Sequence, residues 1–393
     1  MVLRLKKLSP VALLIFSEPH MYPPTMHMAN ILAEKGHPVY LYGIKYYLKD
    51  KVLIHPLINL IYLSEHKRGL KNFYYYWITY LRVLRDSFKN KFSWIIAYDA
   101  AAAGPAFFVA KCRGIKWVYH QHDFWETPKG RWQKCLAYLE KKLGSRADIV
   151  SFPQIQRAKI FKEMTQMKEN PLIVFNGPRL NWYNNKIQID PRIRDIKNKF
   201  NTILLYQGGL SRYFCLENLL FSINFCKSSF AIVFLGRDIE KGVKNELRLL
   251  AEKESISNRI FFWDEYVPYD ELPSISCFCD IGIAKLTHDG MKAPINDKYI
   301  AGASNKIAEY MAAGLPIISS DTEDNRIFFQ KDNIGLLCNS EDPQSIANAI
   351  DTLLLNSQKL SEMGANNRKV FLEKYNYDIQ FETLYNKMST TSV

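Results

Sequence analysis

Short apolar runs alternate along this chain with longer stretches in which apolar residues return every three or four positions. Val11–Phe16, Val39–Tyr42, Trp94–Tyr98, Trp117–His120, Ile149–Phe152 and Leu172–Phe175 read as buried strands, and His27–Lys35 as a helix that stops at Gly36. A polar, proline-containing stretch follows around residues 181–201. The alternation then restarts, with strands at Thr202–Tyr206, Ala231–Leu235, Ile260–Phe262, Ile281–Ala284, Pro316–Ser319 and Gly335–Leu337. Strands alternating with helices imply parallel sheets joined by crossover helices. The pattern predicts an α/β chain of two tandem, doubly wound parallel-sheet domains, over 1–185 and 200–375. Open parallel sheets bind ligands beyond the carboxyl ends of their strands, so two such domains facing each other would hold a ligand in the cleft between them.

Composition narrows the class. The 393 residues are 48% hydrophobic and 23% charged, which excludes general disorder. Seven cysteines, an odd number, fit a reducing compartment better than a disulfide framework. The longest candidate for a membrane span, Val11–Phe16, is six residues, against about 20 needed. The basic start, Met1–Lys7, is followed by too short an apolar run for a signal peptide, and Glu18-Pro19-His20 stands where a cleavage site belongs. The expected location is cytoplasmic, with a peripheral place on the membrane face open to it.

The net charge of +13 is unevenly placed. Residues 1–190 hold 29 Lys and Arg against 13 Asp and Glu, whereas residues 191–393 are slightly acidic. Either a nucleic acid or an anionic membrane would suit the basic half, but no recognisable nucleic-acid module accompanies the charge.

The most specific stretch runs from Ser304 to Asp321, SNKIAEYMAAGLPIISSD. It reads as a helix capped by Ser304 or Asn305, a stop at Gly314, and a buried strand after Pro316. The free N–H groups at such a helix start suit phosphate oxygens. Glu309, one turn further in, can accept two hydrogen bonds from a sugar diol. The plainer reading is an ordinary helix–strand unit with a surface Glu.

This segment resembles the donor-site motif of GT-B glycosyltransferases, particularly retaining family four. Lys306, Glu309, Tyr310, Met311, Ala312, Gly314 and Pro316 match the family's Lys-x-x-Glu-Tyr-Met-Ala-x-Gly-x-Pro pattern one by one. The resemblance implies two Rossmann-like domains and a Glu309 that holds the ribose of a nucleotide sugar. Tyr206-Gln207-Gly208-Gly209-Leu210 resembles the family's first glycine turn, and Arg212 the basic residue that neutralises the diphosphate. For Arg212 a surface arginine is an equal alternative. Tyr266-Val267-Pro268 resembles the stretch whose backbone reads the base. Residues 376–393 resemble the C-terminal helix that returns to the first domain. One position departs: Ala301 stands where the family commonly carries a first Glu, eight residues before Glu309, and the loop His288–Pro294 lacks the usual acidic, glycine-rich run. The donor sugar is therefore left open.

The first domain resembles the family more loosely. Gly36-His37-Pro38-Val39 is close to its Gly-His-x-Val turn, and His122-Asp123, after the strand ending at His120, matches a His-Asp pair whose His lies near the reacting sugar. The loop Glu18–Pro24 has no glycine cradle. His120 and His122 share one side of a strand, but nothing nearby completes a metal's ligand set, so no metal is expected. A hydrogen-bonded histidine at a strand end is the plainer reading. Cys277 and Cys279, on a strand-like run, read as core.

Residues 66–91 hold seven Lys and Arg, one Asp, and the run Phe73-Tyr74-Tyr75-Tyr76-Trp77. Leu70, Phe73, Tyr74, Trp77, Ile78, Leu81 and Leu84 fall on one helical stripe. Most such stripes pack on a core, and here packing on the first sheet is expected, with exposed basic residues alone touching acidic lipid.

The expected activity is transfer of a sugar from a UDP- or GDP-sugar to a glycan or polyprenyl-linked acceptor, with retained configuration, in cell-surface polysaccharide or lipopolysaccharide assembly. No cofactor is required if Arg212, Lys306 and helix N-termini hold the departing diphosphate. The alternatives are a nucleotide-sugar epimerase, a non-catalytic relative and a nucleic-acid-binding protein.

Overall fold

A computed structural model describes residues 8–45, 54–63, 71–124, 130–183, 187–287 and 295–391. The chain divides into two compact units, residues 1–175 with 377–393, and residues 176–376.

The first unit is built on a seven-stranded parallel sheet. Its strands are β1 (Val11–Ile15), β2 (Val39–Ile44), β3 (Ile58–Leu63), β4 (Trp94–Tyr98), β5 (Lys116–His120), β6 (Ile149–Phe152) and β7 (Leu172–Ile173), in the order β3-β2-β1-β4-β5-β6-β7. The second unit carries β8 (Ile203–Gln207), β9 (Ala231–Leu235), β10 (Ile260–Trp263), β11 (Ile281–Ile283), β12 (Ile317–Ser320) and β13 (Gly335–Cys338), in the order β10-β9-β8-β11-β12-β13. Every pairing among these strands is parallel. In each sheet the order reverses between the first strand and the fourth, and a doubly wound sheet opens its ligand crevice there.

Eight helices matter below: α1 (Pro23–Glu34), α2 (Lys71–Asn90), α3 (Asp99–Arg113), α4 (Gly130–Leu143), α5 (Ile155–Thr165), α6 (Asn305–Ala313), α7 (Glu323–Asp332) and α8 (Tyr377–Thr391). α1 starts four residues before the expected helix, because two prolines fit its first turn, where their missing N–H groups cost nothing. α8 inserts Tyr377, Phe381, Leu384 and Met388 into the core of the first unit, beside α1 and the sheet. That contact joins the end of the chain to its beginning.

Two sequence expectations change. Cys277 and Cys279 lie at the end of the helical turn Pro273–Ser276, not on a strand, although Cys279 is buried as expected. The stripe on α2 is turned outward. Tyr76, Thr79, Val83, Asp86 and Ser87 form the buried side of the helix, and Tyr74, Trp77 and Leu81 are exposed. The inward face tolerates a carboxylate because Tyr42, Arg82 and Arg85 all bond Asp86. Leu70, the side chain of Phe73 and the loop 288–294 lie outside the described residues.

Candidate functional site

Helix α6 is held in one register by a single side chain. The Tyr310 hydroxyl, fully buried, accepts the Gln207 N–H at 2.8 Å and lies 3.1 Å from the carbonyls of Leu205 and Ile283. It thereby ties α6 to β8 and β11 at the point where the strand order reverses. Gly282 makes room: a Cβ there would sit 2.5 Å from the Tyr310 ring. Gly314, left-handed at φ +73°, closes the helix, and β12 follows. At the other end Ser304 occupies the cap position but its hydroxyl caps no N–H, and the Asn305 Oδ1 is buried without a hydrogen-bond partner.

With Tyr310 fixed, its neighbour Glu309 is carried to the carboxyl edge of the sheet. It is buried, and Gln207 donates its side-chain N–H to Oε2 at 2.5 Å. Burial pushes the Glu309 carboxyl up to about 7, while the Lys306 charge and the Tyr269 hydroxyl act in the opposite direction. Lys306, one turn earlier, lies over the Gly208 turn. A Cβ on Gly208 would meet its Cε at 2.1 Å and Nζ at 2.2 Å, and Gly208 already needs a φ of +140°. Gly209 packs against Ile239, and the Gly208 carbonyl presses on Gly236. The resulting site is a glycine turn, an ammonium and a buried carboxyl at the end of β8.

Other candidates stand apart from that cluster. Arg212 is exposed and gripped by Glu246, with Nη2 to Oε1 at 2.5 Å and Nε to Oε2 at 3.0 Å. Tyr266 is exposed and Val267 half-buried, on the segment leading from β10 to Tyr269. Ala301 is buried, and its N–H donates to Asp324 Oδ2 on α7 at 2.9 Å. A carboxylate therefore does lie beside Ala301, but from a different helix.

In the first unit β5 delivers His120, and the bend beyond it places His122 and Asp123. Asp99, the first residue of α3, accepts the backbone N–H of His122 at 2.6 Å and that of Asp123 at 3.3 Å, and faces His122 Nδ1 at 3.2 Å. In the neutral ring the proton then sits on Nδ1, and Nε2 is left an acceptor. That Nε2 is buried and unpartnered. The imidazole stacks on Tyr98, with ring centres 5.0 Å apart, and Arg157 donates to the His122 carbonyl at 2.8 Å. Asp99 holds this position at φ +61°, a backbone conformation costly for a non-glycine residue. Burial and the neighbouring His122 push the His120 imidazole well below its ordinary range, so it stays neutral, bonded to Ser151 at 2.8 Å. Among the described residues no group of three potential ligands could hold a metal.

Sequence reasoning missed Gln207, Tyr269, Asp99 and Asp324. Asp99 alone had a usable signal, since it directly follows a strand and therefore sits at a carboxyl edge.

Residues 192–370 match the family model described as Glycosyl transferases group 1. A search of curated proteins found no match. Among solved structures, sucrose-phosphate synthase from Thermosynechococcus elongatus is 16% identical at a TM-score of 0.75, covering 98% of this chain and 100% of its own. Anabaena HepE, solved in complex with UDP and glucose, is 14% identical at 0.71, covering 98% and 100%. A glycosyltransferase from Rickettsia africae is 13% identical at 0.74, covering 98% of each chain. At such identities the likeness speaks to the fold, two Rossmann-like units of the GT-B type. Residues 192–370, just under half of the chain, are similar to the glycosyl transferases group 1 family, and that match marks the chain as a glycosyltransferase.

Proposed function

We propose that the second unit binds a nucleotide-sugar donor and that the protein is a retaining hexosyltransferase of the family-four type. The observation that carries this is the buried Glu309, placed beside Lys306 and the Gly208–Gly209 turn at the carboxyl edge of β8. In this reading Glu309 accepts two hydrogen bonds from the ribose diol. Lys306, the N–H of Asn305, and Arg212 once released from Glu246 neutralise the diphosphate; the Ser304 N–H is not among the donors, because it is bonded to the Ile300 carbonyl at 2.9 Å. The backbone at Tyr266 and Val267 meets the base. Charge on the leaving diphosphate develops in the transition state, so fixed donors around it lower the barrier without a metal. His122 Nε2 accepts a hydroxyl of the transferred sugar, with Asp123 beside it. HepE was solved with UDP, which favours a UDP-sugar over a GDP-sugar as donor. The basic first unit suits a glycan on a polyprenyl-type lipid, in surface polysaccharide or lipopolysaccharide assembly, at the cytoplasmic face of the membrane.

Incubating the protein with UDP- and GDP-hexoses and a membrane lipid extract tests this. Consumption of one donor, stimulated by the extract and unaffected by a chelator, with the donor's anomeric configuration kept in the product, is the expected result. Interconversion of the sugar nucleotide without an acceptor would make the protein an epimerase instead.

A further inference from the structure

We infer that the outward face of α2, continued by α3, is a docking surface for an anionic lipid bilayer. Tyr74, Trp77, Leu81 and Phe88 recur at helical spacing along α2 and are exposed, at 65, 43, 58 and 59%. Phe108 on α3 adds to them: Trp77 meets Tyr80 edge-on at 5.6 Å, and Tyr80 meets Phe108 at 6.2 Å. A contiguous apolar and aromatic patch of this kind is uncommon on a surface that faces only water.

Charge identifies the occupant. Arg82, Arg85, Lys89 and Lys111 are exposed around the patch, and Arg113 lies 3.9 Å over the Phe88 ring. α2, α3 and α4 pack side by side, and together they contain three acidic residues. Asp86 is buried under Tyr42 and two arginines, Glu140 is buried against Tyr119 and Gln121, and Asp99 is engaged with His122. Asp86 is shared between Arg82 and Arg85, and beyond it the outward surface of these three helices carries cations, Lys89 and Lys111 among them, with no exposed acid. A protein partner's groove would match the apolar side chains but not this one-signed border, whereas a bilayer with acidic headgroups matches both. Trp and Tyr settle at headgroup depth, Leu and Phe reach the acyl boundary, and arginine and lysine meet phosphates. The inference rests on the membrane-borne acceptor for its purpose, though not for its geometry.

The test is sedimentation of the full chain with vesicles of phosphatidylcholine, alone or mixed equally with phosphatidylglycerol. A triple variant, Trp77→Ser with Leu81→Ser and Phe88→Ser, and a charge variant, Lys89→Glu with Lys111→Glu, are run beside the parent. The changed side chains are exposed, so both variants keep the core. The parent should bind the acidic vesicles at least about tenfold more tightly than the neutral ones, and each variant should lose most of that binding. Nucleotide affinity, measured on the same samples, should be unchanged, so a failure of the donor-site reading registers separately. The inference is overturned if the parent stays in solution with acidic vesicles, if the triple variant binds as the parent does, or if the face proves to join two copies of the chain.

Discussion

Glu309 owes its chemistry to burial. In water its carboxyl would be ionised throughout the neutral range; under Gln207 and Tyr269 it titrates at about 7. A diol donates best to the ionised form, so nucleotide affinity should rise with pH through neutrality, by up to about tenfold per unit below the transition. Titration of the nucleotide's own phosphate is removed by comparison with Glu309→Gln, whose affinity should be weaker and flat over the same range. A parent curve parallel to that of the variant would separate Glu309 from binding. Arg212 poses a different question. An exposed ion pair is weakly held, and a diphosphate offers more charge than Glu246 does. Glu246→Ala should therefore tighten nucleotide binding several-fold and Arg212→Ala weaken it, both read by calorimetry. No change in either would leave Arg212 a surface arginine. Glu309 and Lys306 were legible in the sequence because they lie three apart in one motif. Gln207 was not, because its bond to Glu309 crosses 102 positions of chain.

Elements were legible in proportion to how fully they are buried. Trp94–Tyr98, Ile149–Phe152 and Ala231–Leu235 run as the apolar pattern predicts, since each lies inside a sheet covered on both faces. β3 was missed although Leu60–Leu63 is an apolar run: it is an edge strand in which Ile58 alone is buried, and Asn59 interrupts the run. α2 shows the limit of periodicity. A stripe establishes that a helix has two faces, but which one turns inward depends on partners elsewhere, here Tyr42 for Asp86. α6 is the element on which the site depends, and Tyr310 its fastening. Tyr310→Phe leaves the buried Gln207 N–H without its acceptor, at a cost of about 1–3 kcal/mol. Urea denaturation should show that loss, with weaker nucleotide binding; full stability in the variant would mean that packing alone sets the helix.

At the scale of the whole molecule, the positive first half was plain from composition, while the helical layer that displays the cations required coordinates. The molecule also carries two buried carboxyls with raised affinity for protons. Burial lifts Glu140 and Glu309 from an ordinary 4.5 to about 7. Between those values the folded chain holds protons that the unfolded chain has released, so each group lowers stability as pH rises. His120, held neutral by burial, acts in the opposite sense below its ordinary 6.5. Substitution isolates the carboxyl: Glu140→Gln should gain on the parent from pH 5 to pH 8, by about 3 kcal/mol for the full shift. A constant difference between the two melting curves would show that Glu140 is ionised throughout. Calorimetric titration with UDP, GDP, ADP and CMP, with and without magnesium, asks of the molecule itself whether the second unit is a nucleotide-sugar site built on Glu309 and Lys306. One nucleotide should bind, magnesium should make no difference, and Glu309→Gln and Lys306→Ala should each weaken binding at least about tenfold. Equal binding in parent and variants, or none in the folded parent, would contradict that reading of the site.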